Sequence, residues 1–205
     1  MSAHDPAELA AARPDFAAIA AWIPQGASVL DLGCGDGSLL RYLNDTRKVR
    51  GYGVEISDAN IVACIRNGVN VIQGNLESGL SGFESNAFDY VLLSQTLQAT
   101  RHTEPLVQEM LRVGREGIVS FPNFGYWKLR KQLFEEGRAP RSSVLKFSWY
   151  NSPNVRFLTI ADFREFCQER GIRIHEQVAL DTETYQQVRD DPNLNADLSI
   201  FVVSR

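Results

Sequence analysis

The stretch that most constrains this chain is Val29-Leu30-Asp31-Leu32-Gly33-Cys34-Gly35-Asp36-Gly37-Ser38-Leu39-Leu40. A short apolar run ends in three alternating glycines, and leucines spaced for a helix follow. Glycine lets the backbone bend sharply and lie against a ligand with no Cβ in between. The helix that opens after the turn points its unpaired N–H groups at whatever the turn holds. Strand, glycine turn and helix in this order open a nucleotide-binding α/β sheet. That predicts a fold and one end of a site.

The remaining elements extend that sheet. Val49–Ile56 reads as a second strand ending in Val54-Glu55-Ile56, with Glu55 placed 18 residues after Gly37. In a parallel pair this sets a carboxylate beside the glycine turn. Before the first strand, Pro14 opens a helix whose Phe16, Ile19, Ala20 and Ile23 share one face. Leu39, Leu40 and Leu43 form the inner face of the helix after the turn. Ser57 or Asp58 is positioned to cap the next helix, with Ile61, Ala63, Cys64 and Ile65 on its face and Gly68 as its stop. Val69–Leu76 reads as a third strand running into a polar turn, and Phe88–Ser94 as a fourth, apolar enough to be buried on both sides. Thr103-Glu104-Pro105 starts a helix with Leu106, Val107, Met110 and Leu111 inward, and Glu116–Phe121 is the fifth strand.

From Phe124 to Tyr150 the strand pattern stops. Trp127, Leu129, Leu133 and Phe134 are predicted to share a helix face, with Lys128, Arg130, Lys131 and Arg138 opposite. This marks a helical, aromatic insertion or lid at about 124–155 within a single domain covering 1–205. Phe124, Tyr126, Trp127, Trp149 and Tyr150 are many aromatics for a connection, and aromatics with arginines are typical of protein docking sites. A solvated basic face and a nucleic-acid patch are the competing readings. Thr159-Ile160-Ala161-Asp162 resembles a capping box for a helix burying Ile160, Phe163, Phe166 and Cys167. A sixth strand over Ile172–Leu180 and a seventh over Leu198–Val203 are expected to pair antiparallel.

Composition narrows the function classes. The net charge of the 205 residues is −4, which speaks against bulk binding to nucleic acid or anionic membranes. No apolar run reaches the roughly 20 residues of a membrane span. Met1–Pro6 lacks the basic start and apolar core of an export signal, so a cytoplasmic protein is expected. Cys34, Cys64 and Cys167 show no disulfide or zinc spacing. Cys34 reads as a small filler in the turn, and Cys64 and Cys167 as core. His4, His102 and His175 are scattered. Only His102 falls near the site, as an exposed loop residue or, less favourably, a base.

The glycine spacing separates two nucleotide classes. A G-x-G-x-x-G dinucleotide fingerprint starting at Gly33 requires a small third residue where this chain has Ser38. The G-x-G-x-G alternation, with Asp31 before it and Glu55 at the end of strand two, instead resembles class I S-adenosylmethionine-dependent methyltransferases from about Val29 to Val203. That resemblance implies a Rossmann-like, seven-stranded, mostly parallel sheet with an antiparallel last strand and helices on both faces. It implies a site for S-adenosylmethionine or S-adenosylhomocysteine made by Asp31, Gly33, Cys34, Gly35, Gly37, Glu55, Ile56, Asn75, Leu76, Ser94 and Gln95. In it, Asp31 and the turn face the methionine part and Glu55 takes both ribose hydroxyls. Asn75 stands where the family commonly has an aspartate that reads the adenine amino group. An amide oxygen accepts the same bond without charge. No catalytic group is identified and no metal is expected.

A closer likeness rests on three longer blocks: Ser94-Gln95-Thr96-Leu97-Gln98-Ala99-Thr100, Val119-Ser120-Phe121-Pro122-Asn123-Phe124-Gly125 and Trp149-Tyr150-Asn151-Ser152-Pro153-Asn154. They resemble the MetW family of methionine-biosynthesis proteins. This implies an accessory or regulatory partner of homoserine O-acyltransferase; the charge and the lack of a long apolar run add the expectation of no nucleic-acid or membrane role. The alternative is an active S-adenosylmethionine-dependent methyltransferase acting on a small acceptor.

Overall fold

The computed structural model describes residues 6–205. His4 and the residues around it therefore lie outside the described part. The chain divides into two compact units, one formed by residues up to Ser94 with His102–Ile118, the other by Gln95–Arg101 with Val119–Arg205.

In the first unit, α1 (Pro6–Ala12) and α2 (Pro14–Trp22) precede β1 (Ser28–Leu32). Then come α3 (Ser38–Arg47), β2 (Arg50–Glu55), α4 (Asp58–Arg66), β3 (Asn70–Gln73), β4 (Phe88–Ser94), α5 (Thr103–Val113) and the start of β5 (Gly114–Pro122). The strand order is β3-β2-β1-β4-β5. β1 pairs in parallel with β2 on one side and β4 on the other, so that Asp31 lies between Gly53 and Leu92. β2 continues in parallel to β3, with Glu55 opposite Gln73. A central strand has no solvent face, which explains why Val29, Leu30 and Leu32 are all completely buried.

Amphipathic helices cover this sheet with the residues the periodicity selects. Phe16, Ile19, Ala20 and Ile23 are buried, as are Leu39, Leu40 and Leu43 of α3 and Leu106, Val107, Met110 and Leu111 of α5. α4 departs from expectation. Of its predicted face only Cys64 is buried, while Ile65 is 65% exposed. Ser57 occupies the N-cap position without a side-chain bond, and Asp58 instead accepts from Gln73 Nε2 at 2.8 Å. The expected long third strand is also shorter. β3 ends at Gln73, and Asn75 caps a single 3₁₀ turn over Leu76–Ser78.

The second unit contains the end of β5, α6 (Trp127–Glu136), α7 (Ile160–Glu169), β6 (Arg173–Asp181), β7 (Gln186–Gln187), α8 (Pro192–Asn195) and β8 (Leu198–Ser204). Its strand order is β5-β8-β6-β7. β6 and β8 pair antiparallel as expected, with a register shift between Ile174 and Glu176. The two-residue β7, antiparallel to the end of β6, brings the sheet to eight strands rather than seven. Phe121, Phe163 and Phe201 form the centre of this unit, with ring centroids 4.8–5.8 Å apart. The capping box forms: Thr159 Oγ1 accepts from the Asp162 N–H, and Asp162 accepts from the Thr159 N–H at 2.8 Å.

Asn123 holds three loops of the second unit together. It is fully buried, and its Nδ2 donates to the carbonyls of Asn193 and Ala196 at 2.9 and 2.7 Å. Its Oδ1 accepts from the N–H groups of Gly125 and Ile160 at 3.0 and 3.2 Å. All four bonds of the amide are used, which is what burial of such a group requires. α6 corrects a further expectation. Leu129 is buried with Tyr126 and Leu145 in a small cluster of their own, whereas Phe134 is 91% exposed. Phe134 falls on the stripe of Trp127 and Arg130, not that of Leu129. Tyr126, read from sequence as surface aromatic load, is core.

Candidate functional site

The site grows from the end of β1. Asp31 is 2% exposed, and its Oδ1 is buried without a hydrogen-bond partner among the described residues. Burial first, and the nearby Glu55 charge second, push its carboxyl from the ordinary 3.8 up to about 7. An unpaired buried acceptor beside a second carboxylate is costly unless a positive or donor group completes it.

The turn after Asp31 requires its glycines. Gly33, Gly35 and Gly37 have φ of +73°, +57° and +78°, a region that L side chains rarely adopt. The Gly33 and Cys34 N–H groups both donate to the Val54 carbonyl, at 2.8 and 3.2 Å, so the turn is clamped to β2. A Cβ built on Gly35 meets nothing within 4 Å, so this backbone faces open space. One built on Gly37 meets Cys64 Sγ and Val69 at 3.1 Å, so that glycine serves packing. Gly37 also starts α3 with no side-chain cap.

Glu55 closes the cradle. It is 8% exposed, and its Oε2 accepts from the Gly35 N–H at 2.9 Å. Its Oε1 accepts from the Ile56 and Ser57 N–H groups at 2.8 and 2.9 Å. Three of about four acceptor positions are thus taken by backbone, and one remains for a ligand. Next to it, Ile56 exposes 61% of its surface, an apolar patch at the rim of a polar cradle.

Among the expected site residues, the structure brings Asp31, the Gly33–Gly37 turn, Glu55 and Ile56 together. The Gly74 N–H donates to the Glu55 carbonyl at 2.9 Å, which sets Asn75 and Leu76 one step further along. Asn75 Oδ1 already accepts from the Glu77 N–H at 3.0 Å and keeps one lone pair. Ser94 ends β4, two residues past Leu92, the register partner of Asp31. Gln95 belongs to the second unit. It has φ +51°, and its N–H donates to the carbonyl and hydroxyl oxygens of Ser120 at 2.9 and 3.1 Å.

Cys34 fills the turn as the sequence reading has it, and Gly53 has a role that sequence reasoning missed. Cys34 Sγ lies 3.7 Å from Cys64 Sγ, and burial, with the charge of Asp31 next, pushes its thiol well above the usual range. This is the opposite of an activated nucleophile. A Cβ on Gly53 would come within 2.3 Å of Cys34 Sγ, so Gly53 makes the room that Cys34 fills. A small residue opposite a filled turn was the only signal available. His102 is exposed and sits 3.9 Å from Glu77 at the start of α5. No group of His, Cys, Asp and Glu suited to a metal occurs among the described residues. A cleft of about 860 Å³ opens at the other end of the strands, lined by Ser28, Arg50, Gly51, Asn70 and Phe88. These are the starts of β1 to β4 and flanking positions, away from the carboxyl ends where such sheets bind ligands.

The family model described as "Methionine biosynthesis protein MetW" matches residues 13–203. The chain belongs to this family. A relative from Rhodopirellula baltica, named "Bifunctional methionine biosynthesis protein MetXA/MetW", is 42% identical over 194 residues, covering 89% of this chain. The match takes in 31% of that relative, so the MetW-family chain spans about a third of its length. Solved structures share the fold. An S-adenosylmethionine-dependent methyltransferase from Thermotoga maritima superposes with TM-score 0.65 at 17% identity, covering 94% of this chain and 88% of its own. The [4+2]-cyclase SpnF superposes with TM-score 0.66 at 16% identity, covering 98% and 85%. At such identities the likeness establishes the methyltransferase fold alone. No helix among the described residues is long and apolar enough to cross a membrane.

Proposed function

We propose that this MetW-family protein is an accessory subunit of a homoserine O-acyltransferase in methionine biosynthesis. We propose further that it binds S-adenosylmethionine or S-adenosylhomocysteine in the cradle of its first unit. The observation that carries the partnership is the relative whose one polypeptide joins MetXA, the homoserine acyltransferase, to a MetW part 42% identical to this chain. Fusion raises the effective concentration of two parts that work together.

The cradle fits the cofactor in kind. Asp31 Oδ1 is an unmet acceptor suited to an ammonium, Glu55 keeps one acceptor position for a ribose hydroxyl, and Ile56 offers apolar surface to an adenine ring. The backbone at Gly35 has the open space a close ligand needs. When bound, S-adenosylmethionine supplies a methyl group on a sulfonium. The chain's own residues would bind and orient it, and its level would report methionine status.

The test is acyltransferase activity of the cognate enzyme with and without this protein, each with and without S-adenosylmethionine. A change in rate together with co-elution is expected. An unchanged rate with no complex refutes the accessory role and moves the search to methyl acceptors, followed by transfer of a labelled methyl group.

A further inference from the structure

The second unit leaves an unusual surface uncovered. Helical spacing sets Trp127, Arg130, Lys131 and Phe134 on one stripe of α6, at i, i+3, i+4 and i+7. Leu129 turns the opposite way, into the cluster with Tyr126 and Leu145. Phe134 is 91% exposed and Trp127 41%, and Arg130 and Lys131 lie exposed between them. An exposed phenylalanine and tryptophan two turns apart are not what a solvated helix face needs.

The chain that follows α6 adds more exposed aromatic and basic side chains. The Gln132 side chain bonds both the N–H and the carbonyl of Arg141, and the Arg141 guanidinium donates to the Lys146 carbonyl at 2.8 Å. This ties segment 141–146 to α6. Three residues on, Trp149 and Tyr150 stand 82% and 73% exposed, with their rings edge to face at 5.7 Å. Residues 127–146 carry six basic and two acidic side chains, in a chain whose net charge is −4. The face therefore fits an apolar patch with an acidic rim on another protein. It is a poor match for a second copy, whose like-charged stripe would oppose it.

We infer that the Trp127–Phe134 stripe of α6, together with the exposed pair Trp149 and Tyr150, is the docking surface for the homoserine acyltransferase. This rests on the partnership proposed above and adds where on the chain it forms. The occupant is argued from the fused relative and from the aromatic and basic character of the face. Beyond Tyr150 the chain holds the segment that follows β4. The Val155 and Arg156 N–H groups donate to the Gln98 carbonyl at 2.9 and 3.0 Å, and the Arg156 guanidinium donates to the Arg101 carbonyl.

The experiment measures affinity for the purified cognate acyltransferase by titration calorimetry, for wild type, Phe134→Asp and the double variant Trp149→Ala/Tyr150→Ala. Because these side chains are exposed, melting temperature and S-adenosylmethionine binding should not change, and both are recorded as controls. Loss of affinity by about 30-fold or more in each variant is expected for central aromatic anchors. Wild-type binding that both variants retain overturns the docking surface and leaves the partnership standing. No wild-type binding refutes both. Light scattering that shows a wild-type dimer, made monomeric by Phe134→Asp, reassigns the face to self-association and overturns the inference. Binding of a single-stranded RNA by this face, without the acyltransferase, does the same.

Discussion

Asp31 should make the ligand-free protein less stable as pH rises, and replacing it should remove that dependence. Its folded-state value of about 7 lies above the ordinary 3.8, so the folded protein holds this proton more tightly than the unfolded chain does. For a carboxyl raised by folding, the stabilisation is complete below about pH 4 and is lost as pH rises through about 7. At about 1.4 kcal/mol per pH unit, the gap from 3.8 to about 7 amounts to about 4 kcal/mol, an upper figure for a fully buried group. Between pH 5 and 8.5, the range in which the protein can be handled, about 3 kcal/mol of it should appear. Asp31→Asn keeps the shape and cannot ionise, so unfolding free energies from urea titration of variant and wild type should diverge by that amount across the range. The variant should be the more stable at the alkaline end. Asp89, held below the carboxylate range by Ser28, and Asp197, raised by burial, are common to both proteins and cancel in the difference. Glu55→Gln should move the divergence to lower pH, because it removes the repulsion and leaves the burial. Parallel pH profiles for wild type and Asp31→Asn would refute the assignment of an ionisable, unpaired Asp31.

Other expectations follow from single contacts. Gly53→Ala drives a Cβ to 2.3 Å from Cys34 Sγ and should cost about 1–3 kcal/mol in urea denaturation, with partial recovery in the double variant with Cys34→Ala. If the double variant is no better than Gly53→Ala alone, the clash is not the cause. Asn123→Ala removes four hydrogen bonds to backbone groups and should destabilise the protein by about 3 kcal/mol or more in the same urea denaturation. A loss below about 1 kcal/mol would mean that water replaces the amide. Glu55→Gln should weaken S-adenosylmethionine binding by about 10- to 150-fold by calorimetry, the value of one charge-assisted bond to a ribose hydroxyl. An unchanged titration would remove Glu55 from the proposed site.

Much of the first unit was legible because its signals are local and periodic. The glycine turn, the buried faces of α2, α3 and α5 and the parallel pairing of β1 with β2 all follow from residues that repeat with the element they form. What was not legible depends on distant partners. Gly53 looks like any strand glycine until Cys34 is seen to fill the space it leaves. Asn123 sits in a block that resembles the family, and only the tertiary fold shows that its amide joins β5 to the starts of α7 and α8. On α6, apolar residues at 127, 129, 133 and 134 were read as one face, although 129 and 127 point to different sides. A helix with too many apolar positions for one face has a second face to cover, and that ambiguity was itself the signal. An unmet carboxyl in the cradle and an uncovered aromatic stripe on α6 each raise the free energy of the isolated chain. A cofactor and a partner protein are the two kinds of molecule that would lower it.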